Sequence, residues 1–311
     1  MSHKPFSGVI TALVTPFKKN LDLDLNAFSR LLENQKKSGI HGVVVLGTTG
    51  ENPTLTEEES QKLVLTALEH RTENFHIYVG SGTNDTKHTI QKSLIYSKLQ
   101  VGQNKPDGIM VVTPYYNKPN AQHLVYHYGE IFRAIKETPV CVYNVPGRTG
   151  ININAQTLVK IAQENENLVA IKEAAGNVNA IVEMRLALNA AGKQHINILS
   201  GDDGTYAPSL LCGANGVISV TTNLIPKPML DILYAVQNGN FAQAQALHLE
   251  TFCINSGIFF LPNPVGIKWM LGHLGICEGF LRPPLYTPEE HEIQQLKFIL
   301  SQLEKVPKIC K

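Results

Sequence analysis

The sequence predicts a (β/α)8 barrel with a helical extension at its C-terminal end, and three observations carry that expectation. Eight short apolar runs alternate with longer amphipathic stretches, at a spacing of about 30 residues early in the chain and less towards its end, as βα units do. The apolar runs are rich in β-branched residues and lack polar alternation, which is how strands buried on both faces of a parallel sheet read. An open doubly wound sheet would more often carry a glycine-rich phosphate turn after its first strand, and here that turn is Thr15-Pro16-Phe17.

The first strand is expected over Val9 to Val14, stopped by Thr15-Pro16. A helix follows near Ala27, Phe28, Leu31 and Leu32, with Gly39 placed as a C-cap glycine. The second strand is Val43 to Leu46. Thr56 and Glu59 then form a capping-box pattern ahead of Leu63, Val64, Ala67 and Leu68. The third strand, Ile77 to Val79, precedes a helix through Ile90, Leu94, Ile95 and Leu99, ended by Gly102. The fourth, Ile109 to Val112, precedes a helix from Leu124 to Ile135. The fifth is Val140 to Tyr143, and Asn154 reads as the N-cap of a helix through Leu158 and Ile161. The sixth ends in Lys172 and is followed by a helix through Ile181, Met184, Leu186 and Leu188. The seventh is Ile196 to Leu199, followed by Tyr206 to Leu211. The eighth is Gly216 to Val220. From about Ile225 only helical spacing remains. We therefore divide the chain into a barrel over 1–239 and a helical extension over 240–311, packed together without a linker.

The chain has 311 residues, 43% apolar and 17% charged, which suits a folded core and not disorder. A net charge of +1 without basic or acidic runs argues against nucleic acid or an anionic membrane as partner. Met1 to Phe6 has no apolar leader core, and no stretch is long and apolar enough to span a bilayer. The cysteines Cys141, Cys212, Cys253, Cys277 and Cys310 are odd in number and scattered, which argues against disulfide scaffolding and for a cytoplasmic location.

In a barrel of this kind the chemistry gathers at the C-terminal ends of the strands. Lys172 stands at the end of Asn167-Leu168-Val169-Ala170-Ile171. An ordinary lysine has a pKa of about 10.4, and desolvation disfavours its charged form, so an amine at a dry barrel mouth could attack a carbonyl. Taken alone, the same lysine reads as a strand end pointing to water, paired with Glu173. Around it, Gly47-Thr48-Thr49-Gly50 offers hydroxyls and glycine-freed N–H groups for a small carboxylate, or is only a tight turn. Tyr115, Tyr116 and Tyr143 offer hydroxyls, and Arg148 a fork for a carboxylate, although a tyrosine is usually packing and a loop arginine usually solvated. Asp202-Asp203 makes a weak metal motif without further ligands. His123 and His127, four apart on one helix face, lack the carboxylate of a zinc-protease helix. The combination suits a 2-oxo acid held as a Schiff base, with a tyrosine moving protons, and calls for no metal, nucleotide or flavin.

The segments GTTGE at 47–51, VTPYYNKP at 112–119, YNVPGRTG at 143–150, IKEAAGN at 171–177, LSGDD at 199–203, GVISV at 216–220 and PNPVGIKW at 262–269 resemble the dihydrodipicolinate synthase family. Its members are pyruvate-dependent (β/α)8 lyases that form a Schiff base on lysine. The resemblance implies condensation of pyruvate with L-aspartate 4-semialdehyde, the committed step towards diaminopimelate and lysine. It implies that Lys172 carries the pyruvate imine and that Tyr143 donates and accepts protons above it. Thr48 would link Tyr143 to Tyr116, contributed by the neighbouring subunit of a tight dimer. Thr48 and Thr49 would hold the pyruvate carboxylate, Arg148 the carboxylate of the semialdehyde, and Ile218 and Gly201 would also line the substrate site. A homotetramer made of two dimers is implied, with no cofactor beyond the covalent pyruvate and no metal.

A lysine-effector site in such proteins draws on residues matching Asn52, Pro53, Glu57, Ser60, Asn84, His88 and Tyr115. Sensitive members place histidine where Glu57 stands and a carboxylate where His88 stands, so the resemblance implies a degenerate site with weak or absent inhibition. The competing functions are another pyruvate-dependent aldolase of the superfamily, such as N-acetylneuraminate lyase or a 2-keto-3-deoxy sugar acid aldolase, and a non-catalytic barrel that binds an oxo acid. A phosphate-binding barrel ranks below both. Arg148-Thr149-Gly150 and the Tyr115-Tyr116 pair favour a small acidic aldehyde over a polyol chain.

Overall fold

The computed structural model describes residues 5–303; Cys310, the first four residues of the leader reading and the end of the extension lie outside them. Eight parallel strands close into a barrel in sequence order. They are β1 (Gly8–Ala12), β2 (Gly42–Val45), β3 (His76–Gly80), β4 (Gly108–Val112), β5 (Val140–Asn144), β6 (Leu168–Glu173), β7 (Asn197–Ser200) and β8 (Gly216–Ser219). Closure comes from β8 pairing with β1, with Ile218 opposite Ile10.

The helices around it are α1 (Leu25–Lys37), α2 (Glu57–Glu69), α3 (Thr86–Lys98) and α4 (Ala121–Ala134). Next come the one-turn α5 (Pro146–Thr149), then α6 (Ala155–Glu164), α7 (Val178–Ala190), α8 (Tyr206–Leu211) and α9 (Pro226–Gln237). The C-terminal helices are α10 (Phe241–Gly257), α11 (Val265–His273) and α12 (Glu290–Leu303). Local chemistry starts several of them. Thr56 and Glu59 form the full reciprocal capping box at α2, and the Asn154 side chain accepts from the Thr157 N–H at α6.

Strand alternation sorts the core into two layers. Ile10, Val44, Tyr78, Met110, Cys141, Tyr143, Ala170, Leu199 and Ile218 fill the barrel interior. Val9, Val43, Val45, Val79, Val111, Val142, Ile171 and Val217 face the helical ring. Each strand is therefore apolar on both sides, which is why the runs show no polar alternation.

Several boundaries differ from the sequence reading. The strand expected to run to Val14 stops at Ala12, and the one expected to reach Val220 stops at Ser219, because beyond these points the chain turns into the loops at the barrel mouth. The expected end of the third helix at Gly102 falls after Lys98. Leu186 is 63% exposed, so the apolar stripe read on α7 is narrower than expected. The one-turn α5 was not anticipated, since four residues are too few for periodicity to register.

Candidate active site

Residue parity explains the centre of the site. On β6 the inward positions are Ala170 and, two residues on, Lys172; on β5 they are Cys141 and Tyr143. Strand pairing sets Tyr143 opposite Lys172. The Lys172 amine stands over the Tyr143 ring, 4.2 Å from its centre, and both residues are 5% exposed. Lys172 is thus turned into the barrel and away from bulk water.

Glu173 takes the opposite parity and is not the partner of Lys172. The Asn144 amide donates to its Oε2 at 2.7 Å, and the Ala175 N–H donates to its Oε1 at 2.8 Å. Burial raises the Glu173 carboxyl above its usual range. Cys141, one step inside Tyr143, is fully buried and its thiol is pushed up to about 12 by that burial, so no thiolate nucleophile competes with the amine.

Gly201, at the end of β7, is packed against the lysine stem. A Cβ there would meet Lys172 Cγ at 3.1 Å, Lys172 Cε at 2.9 Å and Ala174 Cβ at 2.6 Å. The residue expected in the substrate site supplies room for the lysine. Ile218 is fully buried in the interior layer beneath the mouth.

A cavity of about 440 Å3 opens beside this centre. Thr48, Tyr143 and Arg148 line it, together with Gly47, Met110, Val145 and Thr149. Thr48 begins a 3₁₀ turn, Thr48–Gly50, right after β2. Thr49 is buried, and its hydroxyl accepts from the Asn263 amide at 3.0 Å. That leaves the Thr49 hydroxyl hydrogen free to donate to an anion. Arg148 rides on α5, which starts with Pro146 and ends at Gly150 with φ +71. Its guanidinium is exposed and donates to the Asn263 carbonyl at 3.3 Å. Asn263 thereby touches both carboxylate-binding candidates. Sequence reasoning gave it no role, although it lies within the PNPVGIKW segment.

Tyr116 is not brought to Tyr143. Its side chain is 88% exposed and its φ is +70, a left-handed conformation rare for an aromatic residue. The loop that carries it is braced: Asn84 Nδ2 donates to Asn117 Oδ1 at 3.1 Å, and Asn117 Nδ2 donates to the Asn84 carbonyl at 3.0 Å.

The residues read as an effector site divide. Asn52, Pro53, His88 and Tyr115 line the same cavity, with Lys92 among them. The Lys92 amine reaches Asn52 Oδ1 at 3.4 Å. Glu57 is exposed and accepts from the Tyr96 hydroxyl at 3.2 Å. Glu57, Ser60 and Asn84 do not line the cavity. His123 is exposed while His127 is buried, its Nδ1 2.9 Å from Thr86 Oγ1, so the two do not present a shared face. Among the described residues no group of three His, Cys, Asp or Glu side chains is arranged to hold a metal, and no helix is long and apolar enough to cross a membrane.

A family model described as the dihydrodipicolinate synthetase family matches residues 5–303. The chain is 38% identical over 297 residues to the 4-hydroxy-tetrahydrodipicolinate synthase of Thermotoga neapolitana, covering 96% of this chain and 98% of that one. It is similar to the crystal structure of dihydrodipicolinate synthase from Thermotoga maritima, with a TM-score of 0.91 at 36% identity over 96% and 98% of the two chains. It is also similar to the chloride-inhibited dihydrodipicolinate synthase from Acinetobacter baumannii, solved complexed with pyruvate. There the TM-score is 0.89 at 32% identity, over 96% and 99% of the chains.

Proposed function

This chain belongs to the dihydrodipicolinate synthetase family, and we infer that its barrel mouth carries out the family's reaction on Lys172. The activity is that of a 4-hydroxy-tetrahydrodipicolinate synthase, a lyase that condenses pyruvate with L-aspartate 4-semialdehyde. The observation that carries the residue assignment is the Lys172 amine 4.2 Å from the centre of the Tyr143 ring, at paired strand ends beside a cavity bearing Thr48 and Arg148.

The chemistry follows from those groups. The amine adds to C2 of pyruvate and water leaves, giving an imine whose nitrogen withdraws electrons from the methyl group. Loss of a methyl proton yields an enamine, and its carbon attacks the aldehyde of the second substrate. The amino group of that substrate then adds to the imine carbon, closes the ring and releases Lys172. Each step moves a proton, and the Tyr143 hydroxyl is the group beside the amine suited to carry it. Thr48 and Thr49 hold the pyruvate carboxylate with hydroxyl and backbone donors. The exposed Arg148 takes the carboxylate of the semialdehyde as a fork. Tyr116, turned outward on a braced loop, completes the hydroxyl relay through Thr48 in a neighbouring subunit, so the working unit is a dimer or the tetramer built from it. Ile218 and Gly201 shape the floor of the pyruvate site.

The described cysteines Cys141, Cys212, Cys253 and Cys277 are all free thiols, which supports a reducing, cytoplasmic setting. The division at 239/240 follows the gap between α9 and α10. In the cavity His88 stands where lysine-sensitive members place a carboxylate, and Glu57 lies off its lining, so no carboxylate is offered to the amine of an effector lysine and feedback by lysine is weak or absent.

Borohydride reduction in the presence of pyruvate tests the assignment. The expected result is one added pyruvate-derived mass per chain, mapped to the peptide containing Lys172, and none in Lys172→Ala. An unmodified wild-type chain, with Lys172→Ala binding pyruvate equally well, would leave an oxo-acid binder. Turnover with aspartate semialdehyde should exceed turnover with sugar aldehydes in kcat/KM.

A further inference from the structure

Lys268, on α11, is buried with no exposed surface, yet it carries an amine. The amine donates to Glu51 Oε1 at 2.6 Å and to the Thr15 carbonyl at 2.9 Å, and it lies 4.2 Å from the centre of the Phe17 ring. Glu51 is 3% exposed, and its Oε2 accepts the Arg282 backbone N–H at 3.0 Å. Thr15 in turn donates its hydroxyl to the Gly50 carbonyl at 2.8 Å. One buried cluster therefore grips both Gly50 and Glu51.

Those two residues finish the turn that carries Thr48 and Thr49. The Glu51 N–H closes the turn on the Thr48 carbonyl at 3.1 Å. Glu51 itself sits at φ +52, a left-handed conformation that a side-chain-bearing residue keeps only when its surroundings impose it. A carboxylate buried this deeply needs a full set of donors, because an unpaired buried charge is strongly disfavoured. Its donors come from Lys268 and Arg282, far along the chain. A plain stability role could be met by apolar side chains of the same volume, as buried ion pairs often can. What apolar side chains cannot do is tie the strained Glu51 by directional bonds to Lys268, whose amine also holds the carbonyl of Thr15, the residue that bonds Gly50.

We propose that Glu51 and Lys268 are positioning residues for pyruvate capture: their buried pair locks the Thr48–Thr49 turn so that its hydroxyl and N–H donors meet the pyruvate carboxylate beside Lys172. The proposal rests on the assignment of that turn to the pyruvate carboxylate. Displacement of a positioning group by about 1 Å can cost on the order of a hundredfold in rate, so a loosened turn registers first in pyruvate handling.

The test uses the full chain as Lys268→Met, and as Glu51→Gln/Lys268→Met in case the single variant leaves an unpaired charge and fails to fold. Thermal melting selects the folded variants. In a folded variant KM for pyruvate should rise about tenfold or more, and borohydride trapping of pyruvate should slow in parallel, while KM for the semialdehyde stays within about twofold. The double variant should regain melting temperature over the single one without regaining pyruvate affinity. A folded variant with pyruvate KM within about twofold of wild type, or with both KM values rising together, overturns the proposal. A wild-type chain that traps no pyruvate would instead overturn the functional reading on which it rests.

Discussion

The role proposed for Lys172 depends on two neighbouring residues. Tyr143 lies opposite it across the strand pair, and Gly201 leaves space for its stem. Tyr143→Phe keeps the ring beneath the amine and removes only the proposed proton carrier. Turnover should fall about a hundredfold to ten-thousandfold, while borohydride with pyruvate still modifies Lys172, more slowly. Gly201→Ala would press a methyl group to 2.9 Å from Lys172 Cε and 2.6 Å from Ala174 Cβ. That overpacking should cost about 1–3 kcal/mol of stability. It should also lower kcat for the condensation in folded protein, read by steady-state kinetics beside a denaturant titration.

At the scale of elements, the start of α2 joins the barrel to the segment between α11 and α12. Glu59 closes the Thr56 capping box, with its Oε2 accepting the Thr56 N–H at 2.9 Å. It also receives the Arg282 guanidinium, at 2.6 Å from Nη2 and 2.8 Å from Nη1. The Arg282 hydrogen bonds, above all, hold the Glu59 carboxyl at about 2, against an ordinary 4.5. A carboxylate with a depressed folded pKa favours the native state fully above its unfolded value and loses that contribution as pH falls. The window here runs from about pH 4.5 down to about pH 2. Wild-type stability should drop through it, and Glu59→Gln should show a flatter dependence, measured by urea midpoints at stepped pH. Thr56→Ala removes the cap hydroxyl alone and should cost about 1 kcal/mol at neutral pH.

For the whole molecule, the proposed sharing of sites between chains is tested through the exposed Tyr116. In a mixed dimer of Tyr116→Phe and Lys172→Ala chains, one site keeps both native groups and the other has neither. If the partner subunit supplies Tyr116, random re-pairing of two inactive variants should restore about a quarter of wild-type activity by the two-fold symmetry of the exchange. No recovery after denaturation and joint refolding would place the tyrosine's action within its own chain. Lysine at sub-millimolar concentration should leave initial rates unchanged, because Lys92 and His88 line the cavity while Glu57 lies off it; a saturating inhibition curve there would contradict this.

The order of eight apolar runs determined the barrel, since a strand buried on both faces has no other way to look in sequence. The same runs put Lys172, Tyr143, Thr48 and Arg148 at strand ends, and their motifs carried the family likeness. Periodicity is a local property, and what it could not reach was settled by packing. Glu173 turned from Lys172 to Asn144 by strand parity, a step from sequence to register that only the paired neighbour makes visible. Gly201 became a spacer because of which side chain lay against it. Asn263 and Lys268 lay within the PNPVGIKW segment, but nothing in its spacing named their partners, and they met Thr49 and Glu51 across more than two hundred residues. Buried charges and donors find their partners through space, because an unpaired one is too costly to keep, and that requirement leaves no trace in the spacing of neighbours along the chain.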